Sequence, residues 1–132
     1  MPSPVLESSV KRDSPEFERN TRRIVDLLTE FKNQEEEIRQ GGGAAAIESQ
    51  HKKKRLTARE RIALLIDPRT QFFELGVYTA YEMYTEWGGA PAGGTVTGLA
   101  RVAGRLVMVI ANDATVKAGA FFPMTAKKVI RA

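Results

Sequence analysis

The fold is decided by two runs, TVTGLARV (95–102) and RLVMVIAN (105–112), which are rich in β-branched and apolar residues. Only Ala103 and Gly104 separate them, and a two-residue link that contains glycine is typical of a β-hairpin. The second run is apolar throughout from Leu106 to Ala111, which predicts a strand covered on both faces. The sequence therefore predicts a hairpin at the centre of a layered α/β fold.

Further regular elements flank the hairpin on both sides. FFELGV (72–77) predicts a short strand before it. After it, MTAKKVIRA (124–132) carries Ala126, Val129 and Ile130 at helical spacing. No glycine, asparagine or proline closes this helix. We therefore expect the chain to stop in the middle of a βα unit, before the strand to which such a helix leads.

A long amphipathic helix is predicted near the N-terminus. Ser14-Pro15-Glu16 has the cap, proline and early acidic residue that open helices. The helix is expected to end at the glycines 41–43. Apolar residues and one threonine recur at steps of three, four or seven along it: Phe17, Thr21, Ile24, Leu28, Phe31 and Ile38.

Two weaker helical segments follow. Residues 44–55 have good helix propensity but only Ile47 as an apolar anchor, so a solvated helix or linker is expected. The sequence 57–60, Thr-Ala-Arg-Glu, matches a capping box and predicts a second start. The face of this helix would be Ile62, Leu65 and Ile66, and Asp67-Pro68 would end it.

Length and composition limit the class of protein. A chain of 132 residues, 42% apolar and 27% charged, is expected to form one globular domain, because one core organises roughly 100 to 200 residues. No apolar run approaches the ~18 residues of a membrane span, and no secretory signal is evident. We expect a soluble, intracellular chain without a membrane partner.

The residue inventory excludes several kinds of site. There is no cysteine, so disulfides, thiolate metal sites and a thiol nucleophile are excluded. His51 is the single histidine, and its neighbours Gln50 and Lys52 indicate a solvated setting. We therefore expect no metal in this chain.

Two loop and charge motifs have more than one interpretation. GGAPAGGT (88–95) has the glycine spacing of a P-loop, but Gly94 stands where lysine is required and a strand follows, so we reject nucleotide binding. Either a plain connector or a loop that lets backbone approach a ligand remains open. The basic run 51–55, extended by Arg59 and Arg61, fits a solvated face better than a nucleic-acid surface, because no aromatic platform lies nearby.

Aromatic residues recur every three positions between the first strand and the glycine-rich segment. Such spacing would place them along one side of a helix, and core or interface packing is the favoured use over a ligand site. The residues are Tyr78, Tyr81, Tyr84 and Trp87.

The segment after the hairpin holds the candidate binding residues. Asp113 is a candidate base at the end of a strand, although capping of its own turn is the favoured interpretation. Lys117, Ala118 and Gly119 combine small residues, whose backbone N–H groups could face a ligand, with a lysine that could meet a phosphate. Ordinary loop geometry is an equal alternative for them.

Two long phrases carry a family resemblance: LTARERIALLIDPRTQFFELG (56–76) and GGAPAGGTVTGLARVAGRLVMVIANDATVKAGAFFPMTAKKVIRA (88–132). They resemble the N-terminal part of the carboxyltransferase (beta) subunit of biotin-dependent acyl-CoA carboxylases. IANDATVKAGAFFP (110–123) resembles most the methylcrotonyl-CoA and geranyl-CoA carboxylase branch. The glycines 41–43 also fit, and the likeness covers about residues 20–132.

The resemblance implies a fold and a reaction. The fold class would be α/β, the truncated start of a crotonase-like ββα spiral preceded by N-terminal helices. The subunits would form a homo-oligomer beside a biotin-carrying alpha subunit and transfer a carboxyl group from carboxybiotin to an acyl-CoA. Biotin would be the cofactor, carried by the partner. Loop 117–119, Lys117, Ala118 and Gly119, would lie near the acyl-CoA pocket.

The resemblance also implies which parts of the reaction this stretch lacks. Carboxyl transfer needs an enolate held by oriented donors, which backbone N–H groups supply without histidine or cysteine. The family's oxyanion-hole glycines would follow residue 132, so we assign no catalytic residue here and expect the chain alone to be inactive. Bacterial cytoplasm is the expected compartment, or the mitochondrial matrix in a eukaryote.

The expected organisation has three parts: a disordered leader over 1–15, a helical region over 16–68, and an incomplete carboxyltransferase N domain over 69–132. Two other functions stay open. One is a binding or assembly module without chemistry, in which the helices and the hairpin dock a partner. The other is nucleic-acid binding through Lys52 to Arg61, which we disfavour.

Overall fold

The predicted hairpin is present in the structure, a computed structural model that describes residues 7–132. Strand β2 (Thr95–Val102) pairs antiparallel with β3 (Arg105–Asn112), from Thr95 opposite Asn112 to Val102 opposite Arg105. Ala103 and Gly104 have φ values of 51° and 76°. Positive φ at both central residues is the signature of a type I′ turn, whose twist matches that of the strands.

The carboxylate of Asp67 holds this turn from outside the hairpin. Its two oxygens accept hydrogen bonds from the backbone N–H groups of Ala103 and Gly104, each at 2.7 Å. The backbone N–H of Asp67 donates to the Arg101 carbonyl at 2.8 Å. The segment after the third helix is thereby attached to the tip of the hairpin.

A third strand, β1 (Phe73–Leu75), pairs antiparallel with β2, so the sheet order in the described chain is β1-β2-β3. One face of this sheet packs against helix α3 (Ala58–Leu65). Buried residues from the helix and both long strands form that core: Ala58, Ile62, Val96, Ala100 and Val109.

Strand β3 is not covered on both faces within the described chain, so that prediction is wrong for residues 7–132. Val109 is buried, but Leu106 and Ile110 are 65% and 47% exposed. Alternate residues of a strand point to opposite faces, and only the face toward α3 is packed here. An unbroken apolar run does not show which neighbours are present to cover it.

The N-terminal helices begin and end close to their predicted limits. Helix α1 spans Pro15–Arg39 and α2 spans Ala44–Lys52. The capping box of α3 is confirmed, because Thr57 Oγ1 accepts from the Glu60 N–H at 3.2 Å and Glu60 Oε2 accepts from the Thr57 N–H at 2.7 Å. Leu65 is 51% exposed, so its predicted place on the packed face is wrong.

The last helix, α4 (Pro123–Arg131), buries a face that its apolar residues did not predict. Ile130 is 85% exposed, whereas Thr125 and Lys128 are buried. The polar side chains face inward because they donate hydrogen bonds to backbone carbonyls of the turn that precedes β2 and of Thr95, the first residue of β2.

The chain divides into two compact units, the first ending at Gln34 and the second spanning Glu35–Ala132. The second unit contains the sheet and its cores. The predicted leader falls partly on residues 1–6, which lie outside the described residues, and the predicted boundaries at 15/16 and 68/69 stay predictions. Among residues 7–132 no helix is long and apolar enough to cross a membrane.

Candidate functional site

The three candidate binding residues form one tight turn after β3. Lys117, Ala118 and Gly119 all have left-handed backbone conformations, with φ values of 45°, 55° and 84°. This left-handed region is uncommon for residues other than glycine. The N–H of Gly119 donates to the Val116 carbonyl at 2.9 Å, and the N–H of Ala120 donates to the Lys117 carbonyl at 3.0 Å. The turn is therefore held by its own backbone.

Two donors of this turn are left available. Within residues 7–132, the backbone N–H groups of Lys117 and Ala118 have no hydrogen-bond acceptor, and the Lys117 ammonium has no carboxylate partner. The side chain of Lys117 is exposed and its Nζ lies against Gly88, where an added Cβ would come within 2.8 Å of it. An ammonium and two backbone donors in one exposed turn suit an anionic or carbonyl oxygen.

Asp113 caps the start of the same loop, as the favoured interpretation predicted. Its Oδ1 accepts hydrogen bonds from the N–H and the Oγ1 of Thr115, at 2.9 and 2.7 Å. The N–H of Asp113 donates to the Gly94 carbonyl at 2.9 Å. The carboxylate is buried and engaged within its own turn, so the geometry gives it a structural use and not that of a base.

The glycines after α1 let the chain approach this loop closely. The N–H of Gly42 donates to Thr115 Oγ1 at 3.1 Å. A Cβ at Gly42 would lie only 1.8 Å from the Thr115 carbonyl oxygen, so only glycine fits there. The loop that carries Lys117 is therefore supported from the end of α1.

The aromatic residues between β1 and β2 do not form a helical stripe. Residues 76–84 are turns, with positive φ at Ala80, Glu82 and Tyr84, and Thr85–Trp87 is a short 3₁₀ turn. Helical spacing in the sequence is overridden by these left-handed positions.

Three of the aromatic rings pack together beside the loops. The ring of Tyr84 stacks on Trp87 at 6.0 Å and contacts Phe122 at 4.8 Å. Trp87 keeps 59% of its surface exposed, and it directly precedes Gly88, against which Lys117 lies. The packing use predicted for Tyr84 and Trp87 is confirmed, and an exposed indole adjoins the candidate turn.

The glycine-rich segment before β2 is an ordered turn, Pro91–Gly94. Ala92 and Gly93 have φ values of 51° and 65° and are buried. Thr125 Oγ1 donates to the Gly93 carbonyl at 2.6 Å. Lys128 Nζ donates to the carbonyls of Ala92, at 2.8 Å, and Thr95, at 2.5 Å. The segment therefore packs against α4 of its own chain, and the approach of a ligand to its backbone stays a prediction.

Lys128 is a buried lysine without a direct carboxylate partner in the described chain. Burial lowers the pKa of its ammonium to about 8, against the opposing effect of the Glu74 charge. Its side chain lines a cavity of about 530 Å³ together with Arg131, Thr97 and Met108. This cavity therefore carries two cationic side chains on an otherwise mainly apolar wall.

A buried carboxylate joins α1, α3 and β1. Glu74 accepts a bidentate pair of hydrogen bonds from Arg59, at 2.7 and 2.8 Å, and a third from Arg39 at 3.3 Å. Burial alone would raise the pKa of Glu74, but the two guanidinium groups outweigh it and hold that pKa below its usual value. These hydrogen bonds attach β1 to α3 and to the last residue of α1.

Two of the five residues of the basic run 51–55 contact glutamates of their own chain. His51 Nε2 lies 2.9 Å from Glu60 Oε1, and Lys52 Nζ lies 2.9 Å from Glu48 Oε1. Arg59, assigned to this run by sequence, is engaged with Glu74 instead. Within residues 7–132 no group of three or more acidic or histidine side chains could hold a metal ion.

Sequence reasoning identified Lys117 but missed Lys128, Thr125 and Glu74. The signal for Lys128 and Thr125 was their spacing of three residues in a helix, which puts them on one face. Nothing in the sequence indicates that this face contacts the backbone carbonyls of Ala92 and Gly93, because these residues lie more than thirty positions earlier in the chain.

Comparison with known proteins gives consistent matches. Residues 49–132 match the family model described as the carboxyl transferase domain. The "Probable methylcrotonoyl-CoA carboxylase beta chain, mitochondrial" of Drosophila melanogaster is 42% identical over 97% of this chain and 22% of its own. The biotin-dependent 3-methylcrotonyl-coenzyme A carboxylase beta1 subunit of Mycobacterium tuberculosis is 39% identical over 90% of this chain and 22% of its own.

A solved structure agrees with these relatives. The beta subunit of the P. aeruginosa geranyl-CoA carboxylase superposes with a TM-score of 0.83 at 28% identity, covering 97% of this chain and 24% of that one. The match confirms the predicted fold class, a mixed α/β start of a crotonase-like unit. The chain spans about a fifth of the length of the curated relatives it matches.

Proposed function

The chain belongs to the carboxyl transferase domain family, and we propose that it is part of the beta subunit of a biotin-dependent carboxylase that acts on an acyl-CoA of the 3-methylcrotonyl-CoA type. The names of two relatives, a methylcrotonoyl-CoA carboxylase beta chain and a biotin-dependent 3-methylcrotonyl-coenzyme A carboxylase subunit, support this substrate class. The geranyl-CoA carboxylase structure supports a branched, unsaturated acyl group.

In this reaction the residues of this chain would bind the acyl-CoA. Biotin, carried by an alpha subunit, would supply the carboxyl group. The acyl-CoA is a large anion with several phosphate and carbonyl oxygens. Charged and backbone donors hold such oxygens best when they are fixed in advance and need no reorganisation.

The observation that carries this assignment is the turn Lys117, Ala118 and Gly119. Its two available N–H donors and the Lys117 ammonium lie on one exposed turn. The turn is fixed by its own hydrogen bonds and by the buried Asp113 cap. We assign Lys117, Ala118 and Gly119 to acyl-CoA binding, and no side chain of this stretch to catalysis.

The test is binding of 3-methylcrotonyl-CoA to the full chain, measured by isothermal titration calorimetry. A charge-assisted hydrogen bond is worth enough that Lys117→Ala should weaken binding about tenfold. Lys127→Ala is the matched control, because Lys127 is also an exposed lysine but lies on α4, and it should leave the affinity unchanged. Equal affinities for all three proteins would contradict the assignment of Lys117.

The same proposal makes the chain a contributor to a larger assembly. We expect further copies of the beta subunit and a biotin-carrying alpha subunit as partners, in bacterial cytoplasm or in a mitochondrial matrix. Relatives such as the Drosophila melanogaster protein carry a mitochondrial name. The chain by itself should transfer no carboxyl group in an assay with carboxybiotin and 3-methylcrotonyl-CoA. Turnover by the chain alone would overturn that expectation.

A further inference from the structure

The turn that is assigned to acyl-CoA binding, Lys117 to Gly119, has a backbone conformation that opposes its own formation. All three residues have positive φ, and two of them, Lys117 at 45° and Ala118 at 55°, are not glycine. The left-handed region is costly for a residue that carries a Cβ, and such a conformation persists only where the surrounding structure enforces it. Contacts from outside the turn are therefore needed to keep it formed.

One such contact comes from Asn112, the last residue of β3. Its Nδ2 donates a hydrogen bond to the carbonyl of Gly119 at 3.1 Å. Its Oδ1 accepts a hydrogen bond from the hydroxyl of Thr95 at 3.4 Å. Thr95 and Asn112 are paired opposite each other in the hairpin. The last residue of the turn is thereby attached to the end of the sheet.

The second contact comes from Thr115, which lies two residues before the turn and is buried. Its Oγ1 donates a hydrogen bond to Asp113 Oδ1 at 2.7 Å and accepts one from the Gly42 N–H at 3.1 Å. One hydroxyl thus joins the start of the loop to the glycine segment after α1. A methyl group can neither donate nor accept a hydrogen bond, so a valine of the same shape would remove both contacts.

Val116 anchors the chain between these two contacts. It is 2% exposed and packs with Ala80 and Ala90 in a buried apolar cluster. Its carbonyl accepts the hydrogen bond from the Gly119 N–H that closes the turn. Because the residue before the turn is held in this cluster, we expect the loss of an outer contact to open the turn locally.

An open turn would lose the arrangement of its donors. The backbone N–H groups of Lys117 and Ala118 lie in one exposed turn with the Lys117 ammonium while both residues keep left-handed dihedral angles. Donors that are already oriented bind an oxygen more tightly than donors that must first be ordered. When the turn is formed in only a fraction of the molecules, the apparent affinity falls by that fraction.

We propose that Asn112 and Thr115 are positioning residues for acyl-CoA binding. They keep the turn Lys117 to Gly119 in its left-handed conformation and do not themselves contact the ligand. This inference rests on the proposed function, because it takes the turn as the binding element. It adds two residues that set the affinity from outside the turn.

The first test follows the turn without any ligand, by amide hydrogen exchange measured with NMR spectroscopy. The N–H groups of Gly119 and Ala120 donate hydrogen bonds within the turn segment, so they are protected only while the turn is formed. Thr115→Val and Asn112→Ala should each raise their exchange rates about tenfold or more. Thr115→Ser retains the hydroxyl and should keep the wild-type rates. Unchanged protection in either of the first two variants would overturn the role of that residue.

The second test is the affinity of each variant for 3-methylcrotonyl-CoA, measured by isothermal titration calorimetry. Thr115→Val and Asn112→Ala should weaken binding on the order of fivefold to tenfold, because the strained turn is then open in most molecules. Thr97→Val is the matched control. It also removes the hydroxyl of a buried threonine, which donates to the Leu75 carbonyl at 2.9 Å, but it lies in the sheet and should bind as the wild type does.

A second substitution distinguishes positioning from general destabilisation. Ala118→Gly keeps the backbone N–H of residue 118 and removes the steric cost of its positive φ. Combined with Thr115→Val, it should restore both the affinity and the protection of the turn, whereas it would not compensate a defect elsewhere in the fold. Circular dichroism checks that every variant is folded. Failure of this rescue would overturn the proposal.

The outcomes separate this inference from the proposed function. If Lys117→Ala binds 3-methylcrotonyl-CoA as tightly as the wild type, the turn is not the binding element and both fail. If Lys117→Ala weakens binding but Thr115→Val and Asn112→Ala do not, only the positioning role fails. Asn112 is exposed, so its variant tests the proposal even when Thr115→Val does not fold.

Discussion

At the scale of single residues, folding changes the ionisation of the Lys128 side chain. Its Nζ donates two hydrogen bonds to carbonyl oxygens, which favour the ammonium but carry no full negative charge, so they do not offset the cost of burying it. Burial therefore lowers its pKa from 10.5 to about 8. An ordinary surface lysine loses its charge only at the upper end of this range.

This pKa predicts a dependence of stability on pH. Between pH 8 and 10.5 the unfolded chain binds the proton of Lys128 more tightly than the folded chain does. The free energy of unfolding therefore rises as the pH is raised through this window. This gain in stability is lost again as the pH falls toward 8. Relative to Lys128→Met, the wild-type chain should gain on the order of 3 kcal/mol across it.

Urea unfolding of the wild type and Lys128→Met at several pH values between 7 and 10.5 measures the effect. Lys127→Met is the control, because Lys127 is exposed on the same helix. Its difference from the wild type should not change with pH. A parallel pH course for the wild type and Lys128→Met would show that the ammonium is well solvated in the folded chain.

The contrast between Lys117 and Lys128 shows how far single residues could be read from the sequence. Lys117 was identifiable because small residues and a strand end surround it in the sequence. Lys128 was not, because its partners, the carbonyls of Ala92 and Thr95, become available only when a distant turn takes left-handed dihedral angles. A sequence pattern indicates contacts between residues that are close in the chain. It does not indicate a hydrogen bond between residues more than thirty positions apart.

At the scale of elements, the hairpin turn contains a residue that is not the preferred one for its backbone conformation. Ala103 has a φ of 51°, and asparagine adopts this conformation at lower cost than alanine. Ala103→Asn should therefore raise the free energy of unfolding by about 0.5 to 1 kcal/mol, measured by thermal unfolding. Ala114→Asn, also exposed but without a positive φ, should give no gain. Stabilisation by both substitutions would point to a cause other than the turn.

The hairpin, the capping box and both ends of α1 were predictable because each depends on neighbours in sequence. The packing of β3 was not. Its apolar run is compatible with cover on one face or on two, and only the register with β2 and the position of α3 show that Val109 is packed while Leu106 is exposed. The same holds for Leu65, which helical spacing alone placed on the packed face.

At the scale of the whole molecule, a net charge of +4 is not sufficient for nucleic-acid binding. His51, Lys52 and Arg59 contact glutamates of their own chain, which leaves Lys53, Lys54 and Arg55 of the run for phosphate contacts, and three such contacts without an aromatic platform give little affinity. We expect no measurable affinity for DNA or RNA oligonucleotides by fluorescence anisotropy, even at low salt. Micromolar binding that weakens steeply with added salt would contradict this.

The grip of Asp67 on the hairpin has a kinetic consequence. Amide hydrogens at the tip of an exposed turn are ordinarily among the first to exchange with deuterium, because water reaches them without any unfolding. Those of Ala103 and Gly104 are both held by one carboxylate that is anchored beyond α3. They exchange only when their hydrogen bonds to Asp67 break. The exchange rate of these two amides therefore measures how often the segment after α3 detaches from the hairpin.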